Sequence, residues 1–85
     1  MPTISMFYGI IISMYYNDHN PPHIHANYQG QKAVFSLDGS LLEGVFPKKQ
    51  TKLVAAWMVI HQDAIIANWE LAQNKQSLYK IDPLK

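Results

Sequence analysis

The histidines of this chain are concentrated in one short stretch. Residues 18–26 read Asp-His-Asn-Pro-Pro-His-Ile-His-Ala and hold three of the four histidines, His19, His23 and His25. The two adjacent prolines fix φ and favour extended backbone before them, so they predict a stiff turn. The residues after the turn alternate between polar and apolar, which indicates a half-buried strand with His23 and His25 on its solvent-facing side. With His19 and Asp18 nearby, the pattern predicts a solvent-accessible histidine site.

Two kinds of chemistry fit these residues. Histidines two apart on a strand can both ligate a metal ion, with His19 or Asp18 as a third ligand. Alternatively, two imidazoles can remove and donate protons, as in cleavage of an RNA phosphodiester by its own 2′-OH. A third interpretation is structural, with the histidines bonded to the backbone of the turn or merely exposed. We expect no bound metal and no other cofactor, because the pattern does not specify a full ligand set and the chain has no cysteine.

Further side chains are candidates for binding or orienting groups at this site. Tyr16 and Asn27, together with Tyr15, lie next to the histidine stretch and could position the imidazoles. His61 follows Trp57 by about one turn of a predicted helix. It is either a core residue with satisfied hydrogen bonds or the partner that orients a histidine of the sheet.

A group of lysines marks the predicted start of the helix. Lys48, Lys49 and Lys52 lie where the positive end of the helix dipole makes cations unfavourable, by about 0.3 to 1 kcal/mol each when exposed. Together with the free backbone N–H groups of the first turn they would form an anion-binding corner suited to phosphate. The alternative is an ordinary solvated face.

Composition limits the function classes. The chain has 85 residues, a net charge of +1 and neither cysteine nor arginine, since all seven basic residues are lysines. There is therefore no global field to attract nucleic acid or membranes, no disulfide framework and no bidentate arginine fork for phosphate. No apolar segment is long enough to span a bilayer, and the N-terminal residues do not resemble an export signal. We expect a cytoplasmic protein.

Strand patterns fill the first half of the chain. The β-branched and aromatic stretch 9–16, the alternating stretch 23–28, and segments 32–37 and 41–46 predict four strands, joined in meander order by short turns. Asp38-Gly39 is a strong signal for a hairpin, because glycine accepts the positive φ that a tight turn requires.

The second half changes to helical periodicity. From Pro47, apolar residues recur at steps of three and four, which predicts either one long helix or two consecutive helices with a bend at His61-Gln62. Residues 77–84 could add a fifth, edge strand. The expected fold is α+β, a single domain 1–85 with an antiparallel sheet in 3–46, a helical part in 47–75 and a tail or edge strand in 77–85.

Several stretches together resemble one family of small prokaryotic proteins, long catalogued as a domain of unknown function. The signature His-Asn-Pro-Pro-His-x-His-Ala lies within the specific stretch 18–26. The other matching stretches are Pro2-Thr3-Ile4-Ser5, Phe7-Tyr8-Gly9-Ile10, Leu42-Glu43-Gly44 with Pro47, and the helical positions Trp57, His61, Asn68 and Trp69. The family is similar to the toxin half of type II toxin–antitoxin modules, the DhiT type.

The resemblance implies a function and a partner. The chain would be a toxin whose signature residues His19, His23 and His25 are functional, neutralised by a small DhiA-type antitoxin protein. One departure is that many members have Arg where this chain has Ser13. The leading expectation is thus a toxin that acts on RNA or another phosphate-bearing target as a metal-independent, ribonuclease-like hydrolase. A non-catalytic protein-interaction module and a histidine-ligated metal-binding protein are the alternatives.

Overall fold

Short turns and alternating residues arrange the first half of the chain as an antiparallel meander. The computed structural model describes residues 2–85, so Met1 of the predicted domain lies outside the described residues. The strands are β1 Thr3–Phe7, β2 Ile10–Ser13, β3 His23–Tyr28, β4 Gln31–Ser36 and β5 Leu41–Gly44, and they are neighbours in that order. The predicted α+β class and meander order are confirmed, with five strands in the sheet.

The two faces of the sheet differ in what covers them. One face carries a row of fully buried side chains that includes Ile10, Ile12, Ile24 and Phe35. These belong to the same apolar core as the buried residues of the two helices, and burial of that surface from water is the main stabilising term of the fold. The other face is more open over much of its area and carries side chains such as Ile11, which is 36% exposed.

The helical half consists of two helices. They are α1 Lys48–Ile60 and α2 Gln62–Gln73, and His61 between them leaves helical geometry with φ −111° and ψ 24°. A single straight helix over residues 48–73 would be about 39 Å long. The longest dimension of the Cα trace is 33 Å, so the break lets both halves lie against one short sheet. Of the two arrangements that the sequence left open, the structure has the bent one.

The segment after α2 corrects one expectation. Residues 77–84 form no strand, and the fifth strand of the sheet is β1 at the other end of the chain. The segment makes a single backbone bond to the edge of β1, from the Ile81 N–H to the Ile4 carbonyl oxygen at 2.8 Å. Side chains of the helices bind backbone groups of Tyr79 and Asp82. The Trp57 Nε1–H donates to the Asp82 carbonyl oxygen at 2.8 Å. We call residues 77–85 the C-terminal strap.

A buried amide fixes the strap against α2. The side chain of Asn68 is 1% exposed, and its Nδ2 donates to the Tyr79 carbonyl oxygen at 2.8 Å. Its Oδ1 accepts the Tyr79 N–H at 3.0 Å. Since a buried amide is costly unless bonded, this two-way contact specifies where the strap lies.

Gly44 at the end of β5 allows a close approach of two strands. Its φ is +85°, and a Cβ at this position would lie 2.3 Å from the Lys32 carbonyl oxygen. A side chain is therefore excluded by both backbone conformation and space. Gly30 has a similar φ of +84° but no atom within 4 Å of the position of a Cβ.

Candidate functional site

The loop between β2 and β3 brings the carboxylate of Asp18 into contact with the histidine strand. Asp18 Oδ2 lies 2.8 Å from His23 Nε2 and 3.2 Å from His25 Nε2. The other carboxylate oxygen, Oδ1, accepts the backbone N–H of His19 at 2.9 Å. We call Asp18, His23 and His25 the histidine–aspartate cluster. The cluster joins one residue of the turn to two residues of the strand, as the sequence predicted. Both imidazoles contact the same carboxylate oxygen of Asp18.

His23 is buried, which corrects the expectation that it faces solvent. Its side chain is 5% exposed. The ring of Trp69 from α2 lies 5.1 Å from the ring of His23, so the end of the second helix covers this part of the strand. On its other edge, His23 Nδ1 is 2.7 Å from the Pro21 carbonyl oxygen. Because a carbonyl oxygen only accepts, Nδ1 must carry a proton and donate it. A substrate cannot reach a ring held in this way.

His25 is the member of the cluster that reaches solvent on the uncovered face. Its side chain is 28% exposed, and the ring of Tyr15 meets it edge-on at 4.2 Å. Strand register places Ser13, His25, Val34 and Glu43 in one row across four strands. Ser13 is thus the direct neighbour of His25 on β2.

An open cavity lies beside His25. Its volume is about 210 Å³, and its lining includes Tyr15, Asn27, Lys32 and Glu43 together with apolar side chains of β2 and β4. Residues with an imidazole, a phenol, an amide, an ammonium and a carboxylate therefore line one shallow space. Sites that bind small polar ligands have this character, an apolar floor with a few polar groups. We call this space the His25 cavity.

Electrostatics favours an ionised Asp18. Burial of the carboxylate raises its pKa, but the hydrogen bonds with His25 and His23 and the one from the His19 N–H lower it. The net result is a pKa of Asp18 below its ordinary value. Gln73 of α2 fixes the backbone at this point, since its Nε2 donates to the Asp18 carbonyl oxygen at 3.0 Å. The cluster thus holds one negative charge between two imidazoles.

The remaining signature histidine lies at the rim of the cluster. The His19 side chain is 87% exposed, with Nδ1 3.1 Å from Asp18 Oδ1. The shared solvent-accessible pocket expected for His19, His23 and His25 is therefore not present: His25 lines the His25 cavity, His23 is buried and His19 is on the outside.

Three other predicted groups lie away from the cluster. Tyr16 is 43% exposed, and among the described residues it is Tyr15 that contacts His25 instead. His61 packs on Trp57, with ring centroids 5.8 Å apart, and borders the C-terminal strap rather than a sheet histidine. The lysines Lys48, Lys49 and Lys52 are exposed at the start of α1 and do not line the His25 cavity. The basic side chain that does line it is Lys32.

Sequence reasoning missed three contributors to this site. Trp69 had the helical spacing of a core residue, and it is one, but the ring that it covers is a histidine. Gln73 and Lys32 had no local signal, because their roles come from contacts with residues distant in the chain. The alternation of β3 did indicate that Asn27 and His25 share a face, and both line the cavity.

A comparison with protein families places this fold and site in a known group. A family model for a domain of unknown function, DUF4160, matches residues 9–70. The chain belongs to the DUF4160 family. No curated protein and no solved structure matches the chain. The matched part of this DUF4160 domain contains the whole histidine–aspartate cluster and Trp69, whereas β1, Gln73 and the C-terminal strap lie outside it.

Within this DUF4160 domain, the described helices exclude one kind of membrane association. Neither α1 nor α2 has both the length and the apolar character that a membrane-spanning helix needs.

Proposed function

We propose that this DUF4160 domain is the toxin of a type II toxin–antitoxin module, that it acts in the cytoplasm, and that its target is RNA or another phosphate-bearing molecule. The toxin role rests on the resemblance of the histidine signature. The target class rests on one observation in the structure: His25, which is partly exposed and bonded to Asp18, lines a cavity that Lys32 also lines.

The arrangement assigns different tasks to the two strand histidines. His25 is placed to contact a substrate, since it lines the His25 cavity, and His23 holds Asp18 from the buried side. Lys32 offers a cation to a phosphate in a chain that has no arginine, and Asn27 offers an amide beside it. Burial of His23 argues against acid–base catalysis by two exposed imidazoles, because only one of the pair is accessible.

The open face of the sheet also fits a protein partner. Met6 and Ile11 are paired across β1 and β2 and are 61% and 36% exposed, and Tyr15 beside them is 38% exposed. Apolar side chains grouped around a functional cavity are typical of a surface that another protein covers. In this proposal the DhiA-type antitoxin binds this face and blocks access to His25.

Controlled expression in a bacterial host tests the function. The parent protein should arrest growth, and purified protein should cleave total RNA. His25→Gln and Lys32→Gln should each relieve the arrest, because they remove the imidazole and the cation of the cavity. His61→Gln and Lys49→Gln are matched controls that remove the same kinds of group elsewhere, and they should leave the arrest intact.

Two results would count against the proposal. If the parent protein does not affect growth, the toxin role is wrong. If the arrest persists in both cavity variants while RNA stays intact, the protein acts by binding through another surface.

A further inference from the structure

We propose that Asp18, His23 and His25 form a binding site for a divalent transition-metal ion such as Zn²⁺. Each of the three residues offers one ligand atom, and these atoms lie within 4.8 Å of one another. Two imidazole nitrogens and one carboxylate oxygen are a donor set that binds zinc and other first-row ions in proteins. The inference extends the proposed function by giving the histidine–aspartate cluster a cofactor, but binding itself can be measured without any activity.

The spacing of the ligand atoms fits an ion between them. Asp18 Oδ2 is 2.8 Å from His23 Nε2 and 3.2 Å from His25 Nε2. With metal–ligand bonds of about 2.1 Å, adjacent ligands are about 3.0 Å apart in octahedral geometry and about 3.4 Å apart in tetrahedral geometry. The two distances to Asp18 Oδ2 are close to these values, and the two imidazole nitrogens lie within 4.8 Å of each other, so the three groups can approach one ion.

The hydrogen bond of His23 to the turn leaves its other ring nitrogen, Nε2, available as a metal ligand. Nδ1 of His23 donates its proton to the Pro21 carbonyl oxygen at 2.7 Å. In a neutral imidazole the other nitrogen, Nε2, then carries a lone pair, and that lone pair faces the carboxylate oxygen of Asp18 at 2.8 Å. Two lone pairs at this distance repel each other. A metal ion between the two atoms would accept both lone pairs and remove this repulsion.

The surroundings of the ligands are those that metal-binding residues commonly have. Histidines that bind metals usually donate their other N–H to a carbonyl or carboxylate oxygen, which is what His23 does with Pro21. Asp18 is oriented in the same manner, because its Oδ1 accepts the His19 N–H at 2.9 Å and Gln73 holds its backbone carbonyl at 3.0 Å. Both ligands are thus fixed by partners of their own.

Three protein ligands leave coordination positions for other molecules. Closed structural zinc sites in proteins use four protein ligands, whereas sites with three keep a position for water or substrate. His25 is 28% exposed and lines the His25 cavity, so one of the three ligands borders the space where the proposed substrate would bind. The expectation from sequence that no metal is bound depended on the lack of a defined ligand set, and Asp18 now supplies the third ligand.

Metal titration of the purified protein tests the inference. Protein stripped with a chelator and then titrated calorimetrically with Zn²⁺ should bind one equivalent. Co²⁺ should give the visible absorption of an ion with nitrogen and oxygen ligands. Loss of a group next to a ligand typically lowers metal affinity about 10- to 100-fold, so His25→Gln and Asp18→Asn should each lower it by more than about 100-fold. His61→Gln removes one histidine outside the cluster and should bind as the parent does.

Other outcomes would overturn the site. It is wrong if the folded parent binds no equivalent of Zn²⁺, or if His25→Gln and Asp18→Asn bind as tightly as His61→Gln. Nitrogen-15 NMR of His23 gives an independent readout: protons on both ring nitrogens in the presence of excess Zn²⁺ would show that the cluster holds a proton instead. If the protein binds zinc but does not arrest growth, the metal site stands and the toxin role is wrong. If it arrests growth without binding metal, the toxin role stands and the metal site is wrong.

Discussion

The two strand histidines should differ in what they contribute to stability. His23→Ala removes a ring that is 5% exposed, two polar contacts and a packing partner of Trp69. Each lost hydrogen bond costs about 1 kcal/mol and the cavity about another 1 kcal/mol, so we expect a loss of about 3 kcal/mol in the free energy of unfolding. His25→Ala removes a side chain that is 28% exposed and should cost less than about 1 kcal/mol.

Thermal and urea unfolding followed by circular dichroism measures this difference. In a domain of this size, 1 kcal/mol shifts Tm by about 4 to 8 °C, so His23→Ala should lower Tm by about 12 to 24 °C and His25→Ala by less than about 8 °C. Both proteins should be measured without added metal and at the same pH. Equal shifts for the two variants, or a larger one for His25→Ala, would refute the division into a buried positioning histidine and an exposed substrate-facing one.

Three further outcomes follow from single contacts. Gly44→Ala should lower the free energy of unfolding by at least about 2 kcal/mol more than the matched variant Gly30→Ala. Both glycines have a positive φ, but only the methyl group at position 44 would clash with the Lys32 carbonyl oxygen, and urea unfolding of both variants measures the difference. Asn68→Ala should cost about 2 to 4 kcal/mol and speed hydrogen exchange of the Tyr79 N–H, and unchanged exchange would contradict the role of this amide. The pKa of Asp18 is lower in the folded metal-free protein than in the unfolded chain, where it is about 3.9. This difference stabilises the fold at pH values above the unfolded pKa, and the stabilisation is lost as pH falls through the folded pKa. Asp18→Asn should therefore flatten the acid limb of a stability–pH curve, and an identical limb would contradict it.

The sequence predicted those parts of the fold that depend on local periodicity. The alternation of polar and apolar residues predicted both ends of β3, His23 and Tyr28, and the two side chains of β3 that lie in the core, Ile24 and Ala26. The change of period at Pro47 marked the start of α1. Whether the helix bends at His61 could not be predicted, because no glycine or proline marks the bend.

The parts that failed depend on contacts between distant segments. Residues 77–84 contain strand-forming residues, yet side chains of the helices bind their backbone, and among the described residues one backbone bond connects them to the sheet. His23 and His25 have the same type and the same face by alternation, and they differ in exposure because α2 brings Trp69 over one of them. A strand pattern specifies which side a residue faces, and it carries no information about which helix end covers that side.

The C-terminal strap has a consequence for association between copies of the chain. β1 is an edge strand, and an edge with free N–H and carbonyl groups is a template on which another chain can pair. The strap occupies this edge through the Ile81 N–H and through Lys80 Nζ, which donates to the Thr3 carbonyl oxygen at 2.9 Å across 77 residues of sequence. Detachment of the strap would free the Thr3 and Ile4 carbonyl oxygens at the edge of β1. The strap therefore hinders pairing of this edge with a strand of another copy.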